Sequence, residues 1–163
     1  MLKRAFSGLV LCNTLIIKMC EAILTVLLGV LAGLLFCSVV WRYCLNNPIP
    51  WSEDFTLVCL VWMSFLGAPV GMRGGHIATN LASDRLPKAC SKLLCAVANA
   101  AVLFVAITVI VYGVPFVKQG MARIIPSMDW LSHGYSYLAL PVGFALIVPL
   151  CIENILSPFV QSE

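Results

Sequence analysis

The sequence predicts an all-α fold: an integral membrane bundle of four transmembrane helices, with the N-terminus and the C-terminus both cytoplasmic. Three observations carry this reading. Of the 163 residues, 61% are hydrophobic and only 10% charged, against about 45–50% and about 25% in an ordinary soluble domain. A soluble chain of this length cannot hide so much apolar area, because surface falls too slowly with size. The apolar residues also gather into four stretches, none with an ionisable side chain at its centre. Residues 1–163 therefore read as a single membrane domain.

The segment 1–13 carries Lys3 and Arg4 ahead of Gly8-Leu-Val-Leu. Its apolar run is short, Lys18 follows, and no small-x-small cleavage motif closes it. It is expected to be retained as a short interfacial segment. The first span covers 15–43. Its charge-free stretch 22–41 rises about 30 Å at about 1.5 Å per residue, enough to cross the hydrocarbon core. The second, third and fourth spans cover 55–72, 93–117 and 135–152. The last contains Pro141, Gly143 and Pro149, which membrane helices tolerate. Lengths of this order exclude strands.

Orientation follows from the basic residues. Lys3, Arg4, Lys18, Arg73, Arg85, Lys88 and Lys92 fall on one side, and only Arg42, Lys118 and Arg123 on the other. The side richer in Lys and Arg is cytoplasmic. The 44–54 and 118–134 loops then face outward, where Trp41, Tyr43, Trp51, Trp130, Tyr135 and Tyr137 form an interfacial belt.

Composition and pattern exclude several functions. A net charge of +3 without any basic run of five gives no footprint for nucleic acid. The eight cysteines include no C-x-x-C pair and no zinc-finger spacing, and most lie in apolar runs as small buried hydrophobes. Intramembrane charges mark ion paths and proton relays; the nearest here, Lys18 and Glu21, sit at the inner end of span one and are expected to pair at i, i+3. A small exporter lacks its deep carboxylate. A haem protein lacks its paired ligands, because His76 and His133 fall on opposite sides. A disulfide-generating enzyme lacks paired outer thiols beyond Cys37 and Cys44. The chain is not expected to be an enzyme; a stand-alone four-helix membrane oxidoreductase or a small exporter is the alternative.

The spans do carry small-xxx-small spacing: Gly29 with Gly33, Gly67 with Gly71, Ala96 with Ala100, and Ala139 with Gly143. Such residues let helix backbones approach closely in lipid. They predict a compact bundle or docking to another membrane protein.

The richest segments are 41–54 and 61–80. Pro48 and Pro50 stiffen the outer turn, Ser52 is an expected N-cap, and Glu53 and Asp54 suit the positive end of the following helix. Arg42 can pair with either carboxylate. Further on, Arg73, Gly74, Gly75 and His76 form a cytoplasmic turn that has no following strand or Lys-Ser/Thr of a phosphate loop.

These segments resemble the small membrane subunit of tripartite ATP-independent periplasmic (TRAP) transporters. The resemblance rests on Arg42-Tyr43, Pro48-Ile-Pro-Trp-Ser-Glu-Asp54, Trp62, Phe65 to Ala68, Arg73, His76-Ile77, Leu86-Pro87 and Leu140-Pro-Val-Gly143. Asn80 stands where that family usually has aspartate, and Asp54 where glutamate is common. The resemblance implies a multi-pass protein of the bacterial inner membrane, obligately bound to a large TRAP membrane subunit and served by a periplasmic substrate-binding protein. It implies a bracing role in sodium-driven uptake of a small organic acid. No cofactor is expected in this chain, the sodium being bound by the partner subunit. Arg42, Pro50, Trp51, Glu53, Asp54, Trp62, Arg73 and His76 are the candidate interface and loop residues, and Gly29, Gly33, Gly67 and Gly71 the candidate packing residues. Arg73, Arg85, Lys88 and Lys92 are candidate contacts for phospholipid headgroups, set against their plainer reading as a positive-inside flank.

Overall fold

Four helices organise the chain in a computed structural model, which describes the backbone of residues 2–74 and 88–160 and the side chains of 6–73 and 97–156. They are α1 (Leu2–Cys44), α2 (Ser52–Gly74), α3 (Lys88–Met121) and α4 (His133–Val160). Each is long and apolar enough to cross a membrane. A small antiparallel hairpin, β1 (Ile124–Ile125) and β2 (Met128–Ser132), joins α3 to α4.

The N-terminal segment differs from expectation. Residues 2–13 are the first turns of α1, continuous with the span, so that one helix of 43 residues replaces a short segment followed by a separate helix. The physical reason is that Gly8 is the sole glycine before Gly29, and no proline precedes Pro48. Nothing breaks the ladder. At about 1.5 Å per residue α1 is about 64 Å long, roughly twice the hydrocarbon thickness. It ends at Cys44, and just beyond it Asn46 takes a left-handed φ of 50°, a conformation asparagine tolerates better than most residues. The Asn47 N–H then donates to the Trp41 carbonyl at 3.3 Å.

α4 is the hub. It packs against α3 along much of its length, against α2, and over a shorter stretch against α1; α1 leans chiefly on α2. The most apolar window of α1 has no buried residue, whereas that of α4 is 28% buried. Ala139, Ile147, Leu150 and Cys151 of α4 are buried, with Ala106 of α3 and Cys59 and Leu66 of α2.

Glycine decides the closest contacts. A methyl group at Gly143 would lie 2.7 Å from the Phe65 carbonyl oxygen and 2.8 Å from Phe65 Cβ. Pro69, whose ring is fully buried, lacks the N–H that would have bonded that carbonyl, and α4 closes on the freed group. At the outer end a methyl on Gly134 would meet the Met121 backbone nitrogen at 2.7 Å, and one on Gly120 would run into the Tyr137 ring.

The hairpin caps this outer end. Ile125 pairs with Met128 and Ile124 with Ser132, with an irregularity between. Ile125 and Met128 are buried, while Trp130 and Ile124 stay exposed. His133 N–H closes the unit on the Arg123 carbonyl at 2.9 Å.

Candidate partner interface

Two groups of polar side chains sit at the two ends of the helices. At the outer end, Arg42 in the last turn of α1 reaches Glu53 in the first turn of α2, Nη2 to Oε1 at 3.5 Å. Both side chains are more than half exposed, so solvent screens the pair and it adds little stability. Asp54 turns the other way and accepts a hydrogen bond from the Ser127 hydroxyl in the hairpin turn. Adjacent carboxylates thus have separate tasks, one toward α1 and one toward the α3–α4 connection. Trp51 is exposed and meets Phe55 edge-on, with ring centroids 6.2 Å apart. Pro50 is exposed at the bend before α2. Deeper in, the Trp62 indole N–H donates to the Tyr135 carbonyl at 3.1 Å, tying α2 to α4.

Ser52 does not cap α2 as expected. Phe55 N–H already bonds the Trp51 carbonyl, so the helix starts one residue early. The buried Ser52 hydroxyl instead donates to the Ile49 carbonyl at 2.9 Å and meets the Ser38 hydroxyl of α1 at 3.1 Å.

The inner end holds a cluster that sequence reasoning missed. Asn13 of α1 is 2% exposed. Its amide donates to the Pro149 carbonyl at 3.0 Å and to Glu153 Oε2 at 2.6 Å. Arg73 of α2 donates to the Thr14 hydroxyl at 3.4 Å. Asn154 bonds Asn99 across α3 and α4 at 3.4 Å. Burial of an asparagine on an otherwise apolar face was the available signal, but Asn13 lies in the segment read as interfacial. The expected Lys18–Glu21 pair does not form: both side chains are exposed and no ion pair joins them.

The packing glycines divide. Gly143, of the Ala139–Gly143 pair, serves the fold, but Gly29, Gly33, Gly67 and Gly71 face open space, with nothing within 4 Å of an added methyl. The compact-bundle expectation therefore fails for α1 and for the glycines of α2, and the outward-facing option is left. His76 and Arg85 lie outside the described residues, as do the side chains of Lys88 and Lys92.

Among the described residues, no group of three metal-ligating side chains comes together. Cys37 and Cys44, the thiols an oxidoreductase would need, are exposed on one helix. They stand seven positions apart, about 10 Å of helix rise, too far to bridge.

A family model, that of the DctQ component of tripartite ATP-independent periplasmic transporters, matches residues 31–161, through all four helices. The chain belongs to this family. Among curated proteins it is 27% identical to the C4-dicarboxylate TRAP transporter small permease protein DctQ of Vibrio cholerae, over 78% of this chain and 65% of that one. It is 28% identical to the sialic acid TRAP transporter small permease protein SiaQ of the same organism, over 87% and 83%. A putative TRAP transporter small permease protein of Haemophilus influenzae is 31% identical over 59% of this chain and 58% of that one. The chain thus spans slightly under two thirds of its dicarboxylate relative. Members of the DctQ component family are transporter parts rather than enzymes, and four apolar helices make this one a membrane protein. The match begins at Leu31, so Asn13 and Thr14 of the inner cluster lie ahead of it, while Arg73, Pro149 and Glu153 lie within it.

Proposed function

We propose that this chain is the small permease subunit of a sodium-driven TRAP transporter in a bacterial inner membrane, where it braces a large transport subunit. A periplasmic binding protein would deliver a small organic acid to the pair. Family membership supports the class, and the substrates named for two relatives, a C4-dicarboxylate and sialic acid, are both carboxylates.

One observation carries the bracing role. The glycines of α1 and α2 open outward rather than into the fold, and the most apolar part of α1 has no buried residue within the chain. In lipid, where apolar area alone does not drive association, small residues on an open face are what another helix packs against. The bundle has no charged path through its spans, so the ion and substrate route belongs to the partner.

Purification in mild detergent tests this. The tagged chain should bring down a much larger multi-pass protein in near-equal amount, and Gly29→Ile with Gly33→Ile should release it while the chain still inserts. A chain that purifies alone, in a strain whose organic-acid uptake survives its deletion, would overturn the proposal.

A further inference from the structure

We propose that the seam between α1, α2 and α4 is a phospholipid site, shaped for a head that carries a phosphate and a primary ammonium. The inference is independent of the transporter reading and rests on two hollows lined by the same three helices.

The inner hollow, about 180 Å³, lies among Asn13, Thr14, Met72, Arg73 and Glu153. Both Asn13 amide protons are engaged, by the Pro149 carbonyl and by Glu153, which leaves Asn13 Oδ1 buried with no donor. The orientation of the amide is fixed, because flipping it would set its oxygen against two acceptors. A buried acceptor of this kind calls for an N–H or O–H from elsewhere. Arg73 and Glu153 line the same hollow yet form no ion pair with each other. Opposite charges held apart around one space match a zwitterion. The phosphate suits the Arg73 guanidinium, and the ammonium has three protons to share between Glu153 and Asn13 Oδ1.

A second, separate groove of about 490 Å³ lies further along the same helices, between Met19, Ile23 and Leu27 of α1, Trp62 and Leu66 of α2, and Leu146 of α4. Its walls are almost wholly apolar. Along α2, Arg73 and Trp62 stand 11 residues apart, about 16 Å of helix rise and close to half of a roughly 30 Å hydrocarbon core. A polar hollow at the basic, inner face suits a headgroup, and an apolar groove on the same three helices, within one leaflet's depth of it, suits an acyl chain.

The test uses the full chain, delipidated in detergent, with Trp41, Trp51 and Trp130 replaced by phenylalanine so that Trp62 alone emits. Trace phosphatidylethanolamine with a brominated acyl chain should quench Trp62 at about tenfold lower concentration than matched phosphatidylcholine, whose ammonium has no proton to donate, or matched phosphatidylglycerol, which has no ammonium. Glu153→Gln should remove about tenfold of that preference. Equal quenching by the three lipids would reduce the seam to ordinary lipid-facing surface and overturn the proposal. So would displacement of the lipid by inorganic phosphate alone, which marks an anion pocket. The three-lipid comparison is made without Glu153→Gln, so it decides the matter even where that substitution prevents folding.

Discussion

Gly143→Ala is the sharpest probe of how the helices are held. The added methyl would stand 2.7 Å from the Phe65 carbonyl oxygen and 2.8 Å from Phe65 Cβ. Neither is the end of a flexible chain, so α2 and α4 must part by roughly 0.5–1 Å, a gap that forfeits a quarter to a half of the dispersion energy of each contact. Overpacking of this kind costs about 1–3 kcal/mol, offset by up to about 1 kcal/mol because alanine suits a helix better than glycine. The net loss is about 1–2 kcal/mol, a factor of roughly 5–30 in the folded population. Unfolding of the purified chain, by titrating a denaturing detergent into a mild one and following helix content, reads this directly. Gly29→Ala, Gly33→Ala, Gly67→Ala and Gly71→Ala are the controls: with open space at each, they should leave the isolated chain as stable as before or slightly more so. Equal stability of Gly143→Ala and the parent chain would refute the close-approach reasoning, as would a loss at the open glycines as large as that at Gly143.

Three further perturbations separate structural from surface roles. Gly134→Ala drives a methyl to 2.7 Å from the Met121 backbone nitrogen and should destabilise the chain by about 2 kcal/mol in the same titration. Arg42→Gln breaks an exposed ion pair, so its unfolding midpoint should stay within about 0.5 kcal/mol of the parent, leaving any loss of uptake to a partner contact. Asp54→Ala removes the acceptor for the Ser127 hydroxyl; amide hydrogen exchange across residues 124–132 should accelerate by roughly tenfold while the helices keep their protection.

The four helices were legible because lipid demands long apolar runs with every backbone group bonded internally, and 22–41 or 135–152 cannot be read otherwise. The ends of the helices were less so. Nothing in composition marks where α1 leaves the bilayer, and a helix without breakers simply continues, which is why 2–13 joined it. The hairpin was hidden for a different reason: Pro126-Ser127 is no glycine-bearing hairpin turn, and one of its strands is two residues long. Of the outer motif, the Arg42–Glu53 pair followed from short-loop proximity, whereas the Asp54–Ser127 bond joins residues 73 apart and needed the fold. The Asn13–Glu153 bond, 140 residues apart, was out of reach for the same reason. Spacing gave the glycine pairs but not their direction.

That direction bears on what the fold is for. Glycine inside a helix is less favourable than alanine by roughly 0.5–1 kcal/mol, so four glycines on open faces of α1 and α2 carry a burden of about 2–4 kcal/mol without a contact inside the chain to offset it. Gly113, Gly120, Gly134 and Gly143 differ, since each lies against α3, α4 or α2 within the chain. A helix that merely anchored the protein would do better with larger residues at 29, 33, 67 and 71. The arrangement becomes sensible when a second membrane protein covers those faces, because its packing then supplies what the isolated chain lacks. Mass action requires such a partner to stabilise this chain as well as to be braced by it. The subunit should therefore resist unfolding better in the assembled transporter than alone, and the open glycines should matter only there.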